Sequence, residues 1–104
     1  MQPLERRRRA TPRAQIAVDV ALGRGRFGND VTGRTRDLGP GGMRVATLRP
    51  LRVDEHLTFV LTLEDRTRVT GRAHVVREDA RNVYGLRFDR LETADRERLE
   101  LLAS

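Results

Sequence analysis

The sequence predicts an all-β fold with one C-terminal helix, arranged as an antiparallel sandwich or barrel. Apolar and polar residues alternate with period two in several short segments, turn-forming residues separate these segments, and a helical pattern occurs only near the C-terminus. Strands that follow one another without intervening helices pair antiparallel. A six-stranded antiparallel β-barrel would also close its own edges. With 104 residues, the chain has room for one domain around one core.

Three strands are predicted in the first half of the chain. The first covers residues 15–22, where period-two alternation is continuous. The second covers residues 31–36 and the third residues 43–46. Gly39-Pro40-Gly41-Gly42 separates the second strand from the third. Because this composition cannot continue a hydrogen-bonded ladder, we expect a tight connection there.

Three further strands and the helix are predicted in the second half. The strands cover residues 56–63, 68–77 and 84–88, and the helix covers residues 93–103. Glu64-Asp65-Arg66 predicts a hairpin turn between the first two of these strands, and residues 79–82 turn the chain before the last. Leu99, Leu102 and Ala103 would form a short apolar stripe, with which the helix can cover one opening of the barrel.

Residues 1–13 differ from the rest of the chain because they are polar and basic and carry Pro3 and Pro12. We expect them to form a flexible basic N-terminal arm, and residues 14–104 to form the barrel with its helix. The chain has no cysteine, which excludes disulfides and thiolate metal sites and favours a reducing compartment. No apolar run has membrane-spanning length or forms a signal core, so a cytoplasmic location is expected.

The charge of the chain indicates the class of partner. All 21 basic side chains are arginine, and the net charge is +6. Arginine stays ionised, donates paired hydrogen bonds to phosphate and stacks on aromatic rings. The positive charge therefore predicts an anionic partner: a nucleotide, a nucleic acid or an anionic membrane. Scattered arginines such as Arg66 and Arg96 are better explained as solvated surface residues.

Two segments carry side chains suited to ligand binding. Arg8-Arg9-Ala10-Thr11-Pro12-Arg13 directly precedes the first predicted strand, and Asp37-Leu38-Gly39-Pro40-Gly41-Gly42 lies between the second and the third. Together they resemble the paired signature of PilZ domains. In that signature an arginine pair, three residues and another arginine are followed later by Asp or Asn, any residue, Ser, two residues and Gly. Gly85-Leu86-Arg87-Phe88, followed by a charged helix, is similar to the usual end of the family.

The resemblance covers nearly the whole chain and has specific implications. It implies a six-stranded barrel that binds the bacterial second messenger cyclic di-GMP, acts on a downstream protein partner and catalyses no reaction. It implies that Arg9 and Arg13 hold phosphate and guanine, with Arg8 assisting. It also implies that Asp37 contacts a guanine edge and that Gly42 permits the turn.

The same residue types suit this ligand on chemical grounds. Cyclic di-GMP has two phosphates and two purine rings, and an arginine can donate to phosphate and also stack on guanine. A carboxylate such as Asp37 can accept hydrogen bonds from the N1–H and amino groups of guanine. Gly39 departs from the family pattern, because it replaces the serine whose hydroxyl would bond the ligand. One neutral hydrogen bond contributes about 0.5–1.5 kcal/mol, so we expect an affinity roughly three- to tenfold lower.

Other functions are compatible with parts of the pattern. The arginine run alone would suit a polyanion-binding arm, and the segment after Asp37 alone would suit a glycine-rich hairpin. The main alternative is a degenerate PilZ-like module that contacts a protein without binding nucleotide. A nucleic-acid-binding barrel is disfavoured, because Tyr84 and Phe88 alternate with Leu86 as core residues rather than forming an exposed stacking platform.

Catalysis and metal binding are disfavoured by the residues available. The chain has no cysteine, and Ser104 is its only serine, so nucleophilic catalysis of the Ser–His or Cys–His kind has no nucleophile within the strands. His56 and His74 lie on predicted strands without a matching carboxylate cluster in the sequence. We therefore expect surface histidines and no metal site.

Overall fold

The alternating apolar residues line the inside of a closed antiparallel barrel. The computed structural model describes residues 14–25, 28 and 30–103. Its strands are β1 (Asp19–Gly23), β2 (Val31–Leu38), β3 (Gly42–Thr47), β4 (His56–Thr62), β5 (Arg68–Ala80) and β6 (Val83–Leu91), and its helix is α1 (Thr93–Ala103). The strands follow the order β1-β2-β3-β6-β5-β4 around the barrel, and β4 pairs with β1 to close it. The predicted fold class is confirmed.

Aliphatic side chains fill most of the barrel interior. In β4 the burial alternates along the strand, with Leu57, Phe59 and Leu61 inside. Burial of one such side chain stabilises the folded state by about 1.5–3 kcal/mol. Tyr84 is fully buried, and Phe88 packs against the core and stacks on Phe59 with ring centroids 4.9 Å apart. The prediction that these two aromatic residues belong to the core is confirmed.

The first strand begins later than its sequence pattern predicts. β1 starts at Asp19 rather than at residue 15, although Ile16 and Val18 continue the alternation. The hydroxyl of Thr35 donates to the Ile16 carbonyl at 2.5 Å and accepts a hydrogen bond from the Val18 N–H at 2.9 Å. Because a side chain takes backbone bonds that a neighbouring strand would otherwise supply, the regular ladder starts only after Val18.

Three strands extend further than predicted because β-bulges interrupt their alternation, and among them β6 continues past residue 88 to Leu91. β2 continues through Asp37 to Leu38, so the segment assigned to the connection between β2 and β3 begins inside β2. β5 continues to Ala80 and pairs with β6 through shifts of register. The turn predicted over residues 79–82 therefore contains only its last two residues, and Asn82 has a φ of 60°, a left-handed conformation that asparagine tolerates.

Helix α1 contributes one fully buried side chain to the barrel core. Leu99 is fully buried and belongs to the same core as the strand residues. Leu102 is 40% exposed, so the apolar stripe predicted for this helix is narrower than expected. Within the described ranges, no helix has the length and apolar character that crossing a membrane requires.

An ion pair joins the end of β1 to the segment before β4. The Arg24 guanidinium donates to both carboxylate oxygens of Glu55, with Nε–Oε2 at 2.7 Å and Nη2–Oε1 at 2.9 Å. Glu55 Oε1 also accepts a hydrogen bond from the Arg52 N–H at 3.0 Å. The hydrogen bond from Arg24 holds the pKa of Glu55 below its usual value, although partial burial opposes this shift.

Candidate functional site

Asp37 lies near the end of β2, and a bulge sets its position. The pairing of β2 with β3 shifts register between Thr35 and Asp37, which leaves Arg36 as the extra residue. A bulge allows two consecutive side chains to leave the buried face of a strand. Thr35 and Leu38 are both buried, whereas Arg36 is exposed. Asp37, between them, is half-buried, so its carboxylate belongs to the barrel surface and not to the core.

The backbone that follows the arginine motif is hydrogen-bonded beside Asp37. Ala14, the residue after Arg13, forms an antiparallel bridge with Leu38. The Ala14 N–H donates to the Leu38 carbonyl at 3.1 Å, and the Leu38 N–H donates to the Ala14 carbonyl at 2.9 Å. The residue directly after the first signature segment is therefore paired with a residue of the second segment, although the two segments are far apart in sequence.

The connection between β2 and β3 is held by its neighbours. The Gly39 N–H donates to the Gly42 carbonyl at 3.1 Å, and the Gly41 carbonyl accepts a hydrogen bond from the Phe88 N–H in β6 at 3.0 Å. The Pro40 carbonyl accepts a hydrogen bond from Nη1 of Arg96 in α1 at 3.0 Å. The connection thus has fixed contacts to both β6 and α1, and Arg96 is not merely the solvated residue that its sequence context suggested.

Gly42 has no room for a side chain. A Cβ added at this position would lie 2.3 Å from the Leu86 carbonyl oxygen in β6, a backbone atom that cannot swing aside. Gly42 belongs to β3, where it pairs with Arg87. Its φ is not positive, so the glycine is required by close strand approach and not by a turn conformation.

The described part of the chain contains half of the predicted site. Asp37, Gly39 and Gly42 lie together at the β2–β3 connection. Arg8, Arg9 and Arg13 lie outside the described residues, as does the predicted arm over residues 1–13. The roles assigned to these arginines therefore stay predictions.

Comparison with known proteins identifies the family. A family profile described as the PilZ domain matches residues 5–104. The chain belongs to the PilZ domain family. Members of this family are known as cyclic di-GMP receptors, and PilZ domains are generally receptor or adaptor domains and not enzymes. No curated protein matches the sequence of this PilZ domain.

Solved structures share the PilZ fold at low sequence identity. The Bacillus subtilis inhibitor of motility, MotI/DgrA, superimposes with a TM-score of 0.76 at 18% identity, over 91% of this chain and 49% of that one. The PilZ domain of CeSA from a cellulose-synthesizing bacterium superimposes with a TM-score of 0.66 at 17% identity, over 88% of this chain and 93% of that one. This PilZ domain thus spans about half the length of MotI/DgrA.

A second cluster of polar residues was missed from the sequence. His56 in β4 and His74 in β5 are paired directly across the sheet, and Asp89 in β6 lies against both. The expectation that no carboxylate accompanies these histidines is therefore wrong. A sequence signal existed, because the apolar residues Phe88 and Leu91 are three positions apart, and both pack against the core. That spacing indicates a bulge between them, which leaves Asp89 and Arg90 together on the outer face.

Proposed function

We propose that this PilZ domain is a receptor for cyclic di-GMP that binds the nucleotide between its arginine motif and residues 37–42. The pair of hydrogen bonds between Ala14 and Leu38 supports this most directly. Arg13 is one residue before Ala14 and Arg9 is five before it, so at most about 18 Å of extended chain separates Arg9 from the bridge. Both arginines can therefore reach a ligand that rests beside Asp37.

The chemistry of the proposed site matches the two functional groups of the ligand. Arginines 9 and 13 would donate paired hydrogen bonds to phosphate and stack on guanine, and Arg8 would assist. Asp37 would accept hydrogen bonds from the N1–H and amino groups of one guanine. Adenine has no such pair of donors, so the proposal includes a preference for cyclic di-GMP over cyclic di-AMP.

The contacts of the β2–β3 connection suggest how binding reaches a partner. The Pro40 carbonyl accepts a hydrogen bond from Arg96 in α1, and the Gly41 carbonyl accepts one from the Phe88 N–H in β6. A nucleotide that shifts this connection would change the contact with α1 as well. In our proposal, binding therefore alters both the arm and the surface that a protein partner meets, and the domain acts as an adaptor without catalysis.

A second function is favoured by one observation, the glycine at position 39. Family members have a serine there, and Gly39 offers no hydroxyl to a ligand. A PilZ domain that has lost nucleotide binding would serve as a protein-interaction module with the same barrel. We place it second because Asp37 and the arginine motif are both retained.

Titration calorimetry tests the proposal. The parent protein should bind cyclic di-GMP saturably and cyclic di-AMP far more weakly. Asp37→Ala and Arg13→Ala should each lower the affinity at least about tenfold, because a charge-assisted hydrogen bond contributes about 1.5–3 kcal/mol. Arg68→Ala is the matched control, since Arg68 is an exposed arginine on β5, which pairs with neither β2 nor β3 in the barrel. Equal heats for the two nucleotides, or full affinity in both site variants, would contradict the proposal.

A further inference from the structure

The polar cluster formed by His56, His74 and Asp89 has the composition of a metal site. One ring nitrogen of His56, one of His74 and one carboxylate oxygen of Asp89 lie within 4.8 Å of one another. His74 Nδ1 is 2.7 Å from Asp89 Oδ1, and His56 Nδ1 is 3.6 Å from Asp89 Oδ2. The two imidazole rings are stacked, with centroids 5.4 Å apart and an interplanar angle of 28°. Three neighbouring strands thus direct one donor each to a common point.

A β-bulge lies at the carboxylate of this cluster. Ala73 pairs with Phe88 and Arg72 pairs with Arg90, which leaves Asp89 as the extra residue in β6. A regular strand would continue the strict alternation of inward and outward side chains through this position. The bulge instead makes Asp89 and Arg90 consecutive exposed residues between two inward-facing ones. Bulges of this kind are common beside functional sites, where they direct a side chain.

We propose that His56, His74 and Asp89 form a binding site for a divalent transition-metal ion, with Zn²⁺ as the best match. Imidazole nitrogen and carboxylate oxygen are standard ligands of Zn²⁺, at about 2.0–2.2 Å. Tetrahedral geometry at these bond lengths places ligand atoms about 3.3 Å apart. The distances of 2.7 Å and 3.6 Å between donor atoms lie on either side of that value, and all three donors lie within 4.8 Å of one another, so binding one ion would need side-chain rotations that even out these separations.

The surroundings of the cluster leave a coordination position open. The side chain of His56 is 76% exposed, while those of His74 and Asp89 are 25% and 35% exposed. A shallow groove of about 420 Å³ adjoins it and is lined by Gly23, Gly25 and Arg72 as well as by His56 and Asp89. Three protein ligands with an open fourth position are the arrangement that lets zinc bind water or a group from another molecule.

This site is separate from the proposed nucleotide site. Its ligands are on β4, β5 and β6, whereas Asp37 and Gly39 lie at the connection between β2 and β3. An ion held here would join three adjacent strands through side chains that are not part of the proposed nucleotide site, although Phe88, next to Asp89, is hydrogen-bonded to the Gly41 carbonyl. The inference therefore stands whether or not the domain binds cyclic di-GMP.

The test has few competing zinc ligands, because the chain has only two histidines and no cysteine. Tag-free protein should be titrated with ZnCl₂ by calorimetry, and the histidine ring signals should be followed by nuclear magnetic resonance. We expect one ion per chain, with the signals of both rings shifting together. His74→Asn and Asp89→Asn should each weaken binding at least about tenfold, since even changes around metal ligands typically cost 10–100-fold.

Asp19→Asn is the matched control, because Asp19 is a more exposed carboxylate on β1 and pairs with Arg34 instead of a histidine. It should leave zinc binding unchanged, and circular dichroism should show that every variant is folded. The proposal is overturned if the parent shows no saturable binding or if only one ring responds. It is also overturned if zinc affinity survives both ligand substitutions. The parent spectra decide the matter even if a variant fails to fold.

Discussion

At the scale of single residues, the two signature glycines at positions 39 and 42 meet different demands. Gly42 is required because a side chain would collide with the Leu86 carbonyl in the neighbouring strand. Gly39 is buried, and its φ does not lie in the left-handed region. A serine at position 39 would therefore carry no left-handed backbone strain. The departure from the family pattern removes a hydroxyl and is not required by a left-handed backbone conformation.

Gly39→Ser tests whether the nucleotide site is intact apart from that hydroxyl. If it is, the substitution should tighten cyclic di-GMP binding by up to about tenfold, since one added hydrogen bond contributes about 0.5–1.5 kcal/mol. Calorimetric titration measures the affinity. Gly41→Ser, two positions away in the same connection, provides the control for adding a hydroxyl at the wrong place. The melting temperature of the ligand-free variants shows whether the new side chain is accommodated.

The result separates the two functions. Tighter binding by the position-39 variant alone supports a receptor that lacks one contact. If neither the parent nor the serine variant binds and both are folded, the protein-interaction module becomes the better account of this PilZ domain.

At the scale of strands and helices, the elements could be predicted from the sequence, but their ends and partners could not. Period-two alternation predicted the existence of the six strands, and the helical pattern of residues 93–103 predicted the helix. The late start of β1 depends on the hydroxyl of Thr35, which is distant in sequence. No local pattern contains that contact.

The bulges account for most of what was missed in the sites. One carries Asp37 to the surface and another lies at Asp89, and they disrupt the alternation from which strands are recognised. The association of Asp89 with two histidines also depends on the order of strands around the barrel. By contrast, the residues of the β2–β3 connection were identified from composition alone, because glycine and proline mark such connections directly.

The ion pair between Arg24 and Glu55 connects β1 to the segment before β4, so we expect it to stabilise the barrel. Glu55→Gln removes one charge and should lower the free energy of unfolding at pH 7 by about 1–2 kcal/mol, somewhat less than a fully buried charged pair. For a domain of this size, each 1 kcal/mol lowers the melting temperature by about 4–8 °C. Chemical denaturation measures the change directly.

The pH dependence gives a second readout. Because the pKa of Glu55 is lowered in the folded state, the pair's contribution is fully present above about pH 4.3, the usual value for glutamate. It is lost as the pH falls through the lower folded-state pKa. The parent and the glutamine variant should therefore converge in stability in acid.

Asp19→Asn is the control for a pair in water, since the side chains of Arg34 and Asp19 are 59% and 74% exposed, against 23% and 14% for Arg24 and Glu55. The exposed pair should contribute at most about 1 kcal/mol. Equal losses of unfolding free energy in the two variants would show that shielding the Arg24–Glu55 pair from solvent does not strengthen it.

At the scale of the whole molecule, the net charge of +6 attracts any polyanion, so nucleic-acid binding needs a separate test. The described aromatic residues offer little stacking surface, because Phe59 and Tyr84 are buried and Phe88 is packed on the core. Attraction to a nucleic acid would then be mainly electrostatic.

Salt dependence distinguishes this attraction from binding at the proposed site. Raising the salt from about 50 mM to about 200 mM should weaken cyclic di-GMP binding by less than about tenfold, because two phosphates release few counterions. A short single-stranded DNA that contacts about six phosphates should lose roughly a few hundredfold. Fluorescence anisotropy measures both. A nucleotide affinity that falls as steeply as that of the DNA would mean that the nucleotide is held by general charge alone.

Closure of the barrel also limits how a protein partner can attach. β1 and β4 pair with each other, so no strand described here is an edge strand over its whole length. Backbone without a ladder partner on one side lies at strand ends, such as residues 76–80 of β5, which run past the pairing with β4. A partner therefore cannot add a strand along a full edge of this sheet. It must recognise mainly side chains, and a single surface substitution can abolish such recognition while the barrel remains folded. Surface mutagenesis should thus yield folded variants of this PilZ domain that no longer bind the partner.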